Sequence, residues 1–289
     1  MFDRLRQIID ARAVDPGAVA AAAARRSRAV SVLGDHGRAM IIAADHPARG
    51  ALAVGGDPLA MADRGELLRR LCVALERPGV TGVLGTADVL EDLLLLGALE
   101  GKAVFGSMNR GGLAGSAFEA DDRFTGYDAQ AVAGMRFDGG KMLLRIVPED
   151  ADTAFTLAGA AQAVNELADR GLTALVEPFW AAWEDGRLRN DLSAEAVVRS
   201  VAVASGLGRT SAYTWLKLPV VAGMERVLAA TTLPVLLLGG EVSDTDAAFA
   251  SWAKALDSPQ VRGLVVGRSL LYPPGGDVAN AVDRAVALL

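Results

Sequence analysis

Cysteine, histidine and lysine are all scarce in this 289-residue sequence, and each scarcity excludes something. The single cysteine, Cys72, rules out an intrachain disulfide and reads as a small buried apolar residue on a helix. Two histidines, His36 and His46, cannot build a three-histidine zinc site within one chain. HxH, HExxH and CxxC spacings are absent, which leaves only a mixed His/carboxylate site open. No GxGxxG follows the first strand, which speaks against an open dinucleotide-binding sheet. No run of about 18 uncharged apolar residues exists, so no membrane-spanning helix is expected. The opening MFDRLRQIIDARAVD has charges at helical spacing and no apolar h-region, and does not read as a signal peptide. A net charge of −6 argues against a general binder of nucleic acid or anionic membranes. A cytoplasmic location is expected from these missing signals.

Lysine is the most telling shortage. Of 29 Lys+Arg, only four are lysines: Lys102, Lys141, Lys217 and Lys254. Where a positive charge is enough, this chain writes Arg. At the end of the apolar stretch Ser211–Val220 (SAYTWLKLPV) it writes Lys217, and Pro219 then stops the strand. Lysine is almost never buried without a reason. A lysine offers what Arg cannot, a primary amine that can lose its proton and attack a carbonyl.

The rest of the chain alternates. Residues 2–12 and 16–27 read as helices, Arg28–Leu33 as a strand, and Gly34-Asp35-His36-Gly37 as a turn. Eight strands follow, each with a helix after it: Met40–Ala44, Gly79–Gly85, Ala103–Gly106, Gly140–Val147, Leu172–Val176, the Lys217 stretch, Leu233–Leu238 and Val261–Val266. Hydrophobic content of 52% is ample for a large core. The expected class is α/β: a single (β/α)8 TIM barrel over residues 1–289 with an N-terminal helical extension, residues 1–38 forming helices and a hairpin strand. Active sites of such barrels lie at the C-terminal strand ends. Asp45 on strand one, Lys141 on four, Glu177 on five, Lys217 on six and Arg268 on eight stand at or near those ends. Lys141 sits close to the start of its strand, and a start at about Arg136 would move it to the pocket end.

Each residue has a plainer reading. Asp45 could cap a turn, Glu177 could be the polar end of a strand before Pro178, and Arg268 could pair with a helix carboxylate. The two lysines could be partners in a structural ion pair. Burying several charges without function costs several kcal/mol per unpaired ion, which favours a site. The long loop Ser107–Tyr127, with Asn109, Arg110 and several glycines, is a candidate lid or a surface loop.

The order Ala-Ala-Asp at 43–45, Lys141 within GGKMLLRI, Val-Glu-Pro at 176–178, Trp-Leu-Lys-Leu-Pro at 215–219, Gly-Gly at 239–240 and Gly-Arg at 267–268 resembles the class I (Schiff-base) aldolases. These are the bacterial and archaeal fructose-bisphosphate, tagatose-bisphosphate and deoxyribose-phosphate aldolase-like barrels. The resemblance runs over most of the chain and skips only strands two and three. It implies a carbon–carbon lyase acting on a phosphorylated ketose or keto-sugar acid, with dihydroxyacetone phosphate as the ketone product, in sugar or inositol catabolism. By resemblance Lys217 is the Schiff-base lysine, Lys141 the second active-site lysine, Glu177 the proton-transfer carboxylate, and Asp45 the acid that handles the substrate hydroxyl. Gly239, Gly240, Gly267 and Arg268 hold a substrate phosphate. His46 resembles the His of an Asp-His pair in the bacterial and archaeal branch and joins the substrate-binding set. The resemblance implies no metal or organic cofactor, a phosphorylated sugar as partner, and a homo-oligomer.

Two departures bear on the phosphate. Leu238 stands where some of these aldolases carry a hydroxyl residue, and Glu241 follows the glycines and would repel a nearby dianion. The same residues would serve a transaldolase, a condensing synthase, or a lysine-based isomerase or epimerase. A sugar-phosphate-binding barrel without turnover would use the lysines only as counter-ions.

Overall fold

Burial of β1 on both faces sets the architecture. The protein is described by a computed structural model over residues 2–240 and 245–289. In it β1 (Ala39–Ala44) is buried at every position. Its odd-numbered side chains Ala39, Ile41 and Ala43 pack with one another inside a barrel, while Met40, Ile42 and Ala44 pack outward against helices. The other strands are β2 (Gly82–Gly85), β3 (Ala103–Ser107), β4 (Gly139–Ile146), β5 (Thr173–Glu184), β6 (Arg187–Asp191), β7 (Thr214–Leu218), β8 (Val235–Leu238) and β9 (Val261–Val266). Eight pair in parallel in the order β4-β3-β2-β1-β9-β8-β7-β5, and β5 pairs back onto β4 to close the ring. The fold is a (β/α)8 TIM barrel, as the alternation of strands and helices predicts.

Two apolar layers hold it. Leu84, Phe105, Leu175, Leu236 and Val265 fill the interior beside Ile41. Outside, Leu67, Leu68 and Leu71 of the helix Arg64–Leu75 and Val197 and Val201 of the helix Ala194–Ser205 cover the strands. Each fully buried Leu or Ile contributes about 1.5–3 kcal/mol. The same helices start at side-chain caps: Asp63 accepts from the Glu66 amide at 2.9 Å and Ser193 from the Ala196 amide at 3.2 Å. Cys72 lies on the first of them, half-buried rather than fully buried. Among the described residues no helix is long and apolar enough to cross a membrane.

Three places differ from the sequence expectation. Arg28–Leu33 is not a strand and makes no hairpin. After the helices Phe2–Val14 and Gly17–Arg25, this segment runs irregularly, and Ala29, Val32 and Leu33 pack with Trp215 against the interior cluster. Its apolar residues plug the barrel, a role that needs no sheet pairing. Arg26 and Arg28 tie it to Asp138 at 3.7 and 2.9 Å.

β5 does not stop at Glu177-Pro178. It continues to Glu184 and turns through Asp185 (φ 49°) and Gly186 (φ 72°) into β6, which pairs antiparallel with it. Asp-Gly with positive φ at both positions is the two-residue hairpin turn that matches strand twist. A short helix, Arg268–Leu271, also follows β9 directly.

Gly263 shows how tightly the ring closes. Its φ is +134°, and a Cβ there would lie 2.0 Å from the Ala39 carbonyl oxygen on β1. Gly263→Ala is expected to destabilise the barrel by about 3 kcal/mol, because neither backbone can retreat from its ladder. A urea denaturation midpoint equal to that of the wild-type protein would contradict this.

Candidate active site

Barrel shear puts Lys141 at the pocket end of its strand by a route other than an earlier start. β4 begins at Gly139, so Lys141 is only its third residue. Its register partner on β3 is Ser107, the last residue of that shorter strand. The third position of β4 is therefore already level with the C-terminal edge of β3. The Lys141 side chain is fully buried and reaches two carboxylates, Asp45 Oδ2 at 3.1 Å and Glu177 Oε2 at 2.5 Å. Lys217 Nζ lies 2.9 Å from Glu177 Oε1. One carboxylate thus holds an amine on each oxygen.

These four groups form a chain, Asp45–Lys141–Glu177–Lys217, in which no residue is more than 8% exposed. Burial works to raise the Glu177 carboxyl, but Lys141, Lys217 and Arg110 outweigh it and hold Glu177 well below the usual carboxylate range. Burial pushes the Lys217 amine down; Glu177 opposes this, while Arg110 and Arg268 add to it. Lys141 is pushed further in the same direction, by burial and by Arg110.

Lys217 and Glu177 line a cavity of about 630 Å³ at this end of the barrel. That size suits a small ligand. His46, Gly239, Gly240, Gly267 and Arg268 line it too, so seven of the nine residues singled out in the sequence face one space. Asp45 and Lys141 stand behind: Lys141 contacts the cavity-lining Glu177, and Asp45 faces His46 across 3.8 Å. Burial and the cations Arg268 and Lys217 hold the His46 imidazole well below its ordinary value, and therefore neutral near pH 7. At the β8 and β9 ends a side chain is sterically excluded. A Cβ on Gly239 would lie 2.7 Å from Val266 Cγ1, and one on Gly267 2.4 Å from the Ala43 carbonyl oxygen. Leu238 also lines the cavity. Glu241 lies outside the described residues. No group of three or more His, Cys, Asp or Glu side chains suited to a metal ion occurs among the described residues.

Several cavity residues were not assigned from sequence. Arg110 forms an ion pair with Asp45. Arg145, on the same face of β4 as Lys141, pairs with Asp122 at 2.5 Å, and Arg49 with Glu119 at 3.2 Å. The period of two from Lys141 through Leu143 to Arg145 was the available signal for Arg145. The hairpin supplies Phe179, Leu188 and Asn190 to another wall. The loop after β3 is pinned, not free. Asn109 donates to the Leu143 and Asp122 carbonyls at 2.6 and 2.8 Å, and Asp122 also accepts from the Arg145 amide at 2.8 Å. A lid that moved as a body would have to break a buried ion pair.

The sequence matches the family described as Cgl0159-like over residues 37–286. The chain belongs to the Cgl0159-like family. A solved structure of Cgl0159 from Corynebacterium glutamicum (Brevibacterium flavum) is 54% identical, with a TM-score of 0.96 over 99% of this chain and 96% of that one. An archaeal fructose 1,6-bisphosphate aldolase is 16% identical, with a TM-score of 0.68 over 93% of this chain and 98% of that one. A Schiff-base-forming fructose-1,6-bisphosphate aldolase is 17% identical, with a TM-score of 0.67 over the same shares. At these identities the two aldolases show that this Cgl0159-like chain has an aldolase-like barrel fold. A search of curated proteins found no match.

Proposed function

We propose that this Cgl0159-like protein is a class I aldolase, a lyase that cleaves a phosphorylated ketose or keto-sugar acid through an imine on Lys217. The observation that carries the reading is Glu177, one carboxylate bound to two buried amines, of which Lys217 lines the cavity and Lys141 does not. A structural ion pair needs one amine per carboxylate, and a second buried ammonium only adds desolvation cost. A nucleophilic amine needs a lowered pKa and a proton carrier beside it, and this arrangement supplies both. The Schiff-base-forming aldolase among the fold neighbours supports the same reading.

The distances support the following chemistry. Neutral Lys217 Nζ attacks the substrate ketone, and the carbinolamine oxygen leaves as water with a proton delivered through Glu177. The resulting iminium takes up the electron pair when the carbon–carbon bond breaks. Asp45 removes the proton of the β-hydroxyl, which becomes the aldehyde carbonyl. Protonation of the enamine carbon and hydrolysis then return Lys217 and release dihydroxyacetone phosphate. Lys141 keeps Glu177 anionic between transfers. Backbone amides around Gly239, Gly240 and Gly267, with Arg268, receive the phosphate. A reaction of this kind belongs to sugar or inositol catabolism.

A coupled assay tests the reading. Incubated with a panel of ketose phosphates and keto-acid phosphates, the protein is expected to release dihydroxyacetone phosphate, read as NADH oxidation by glycerol-3-phosphate dehydrogenase. EDTA is expected to leave the rate unchanged. Interconversion of substrates with no change in carbon count, or binding without turnover, would contradict the reading.

A further inference from the structure

The two oxygens of Asp45 have different surroundings. Oδ2 accepts from Lys141 Nζ at 3.1 Å and from Ser107 Oγ at 3.4 Å, and it is the oxygen that Arg110 Nη2 pairs with. Oδ1 has no hydrogen-bond partner among the described residues, although the carboxylate is fully buried. The group facing Oδ1 is His46 Nδ1, 3.8 Å away, itself buried and without a hydrogen-bond partner. That gap is too long for a hydrogen bond between them. One oxygen set beside the line would reach both atoms. An unpaired buried polar atom costs about 1–3 kcal/mol, and both atoms are closed to solvent, so a hydroxyl reaches them from the cavity only if the side chains around them shift.

Arg110 is the group whose purpose the rest of the structure leaves open. It stands on the loop just after β3, its side chain is 9% exposed, and it lines the cavity. Burial pushes its guanidinium down to about 10. Its backbone amide donates to Thr125 Oγ1 at 3.2 Å, which fixes the loop without help from the side chain. Among the described residues Asp45 is its ion-pair partner, and Nε has no hydrogen-bond partner.

We propose that Arg110 is a positioning residue for Asp45. With Lys141 and Ser107 it holds Oδ2, and so leaves Oδ1 as the oxygen that exchanges a proton with a substrate hydroxyl seated between Oδ1 and His46 Nδ1. This rests on the aldolase reading. The hydroxyl is the one β to the imine carbon. Its O–H proton goes to Oδ1, its C–O bond becomes the aldehyde C=O, and the pair from the broken carbon–carbon bond neutralises the iminium as an enamine. The titratable groups around Asp45 are Arg110 from the loop after β3, Lys141 from β4, the neutral His46 next in the chain, and Glu177 and Lys217 beyond Lys141. Removing Arg110 leaves Lys141 as the cation in contact with Asp45.

The test compares two partial reactions in wild-type protein, Arg110→Met and Arg110→Lys. One is exchange of dihydroxyacetone phosphate hydrogen with deuterated water, which needs the imine but no hydroxyl proton transfer. The other is condensation of dihydroxyacetone phosphate with glyceraldehyde 3-phosphate, glyceraldehyde or glycolaldehyde, which needs both. In Arg110→Met, condensation kcat is expected to fall about 100-fold more than exchange, the usual scale of a positioned acid–base group. Arg110→Lys keeps the charge without the planar fork and should recover part of the loss. Equal losses in both reactions, a change in KM alone, or no recovery in Arg110→Lys would overturn the proposal. Exchange by the wild-type protein without condensation with any aldehyde would overturn it too. Absence of exchange by the wild-type protein would instead overturn the aldolase reading beneath it.

Discussion

Lys217→Arg is expected to abolish carbon–carbon cleavage while leaving the barrel folded. Arg keeps a positive charge within reach of Glu177, so the ion pair at 2.9 Å has a replacement. It cannot lose a proton near neutral pH and so cannot form the imine. Removing a covalent nucleophile of this kind lowers kcat by about 10⁴-fold or more. The coupled assay reads the rate, and circular dichroism with a urea melt reads the fold. A rate within about tenfold of the wild-type value would mean that Lys217 is a counter-ion, because tenfold is only about 1.4 kcal/mol of barrier.

Glu177→Ala is the largest expected change in stability. It leaves Lys141 and Lys217 buried without the carboxylate that both contact. Breaking a buried pair by removing one partner costs about 3–5 kcal/mol. The loss should vary with pH in a defined sense. Glu177 titrates well below its ordinary 4.5 in the folded protein, so its contribution is complete above that value and fades as pH falls below it. Wild-type protein should therefore lose stability below about pH 4.5, the ordinary carboxylate range, more steeply than Glu177→Ala. At the alkaline end the two lysines act in the same sense. Their folded values lie below 10.5, so the unfolded chain binds more protons and stability rises as pH climbs towards 10.5. Urea denaturation across pH reads both limbs. Equal stability of variant and wild type at neutral pH would contradict the shared-carboxylate geometry.

The barrel was legible because its strands advertise themselves. A continuous run such as Met40–Ala44 suits a strand covered on both faces, and Val235–Leu238 carries the same signal. Lys217 stood out through the rarity of lysine in this chain. What was not legible depends on relations between distant segments. Lys141 reaches the pocket end through barrel shear, which its local sequence does not encode. Arg28–Leu33 has the apolar character of a strand but spends it filling the barrel. The Asp185-Gly186 turn was a readable hairpin signal, hidden by taking Pro178 as a stop. Proline removes the donor N–H and fixes φ, yet β5 passes through it with its register to Leu144 intact. Arg110 sat in a loop with nothing nearby in sequence to pair with, since Asp45 comes from another strand end.

The central claim is an imine on Lys217, and trapping it is the most direct measurement. The wild-type protein is incubated with dihydroxyacetone phosphate, reduced with borohydride, weighed intact and mapped by peptide mass. The account predicts one stable adduct, on the peptide that carries Lys217. An adduct on Lys141 would reverse the roles given to the two lysines. A folded protein with no adduct would contradict the imine and leave the lysines as counter-ions of a binding barrel.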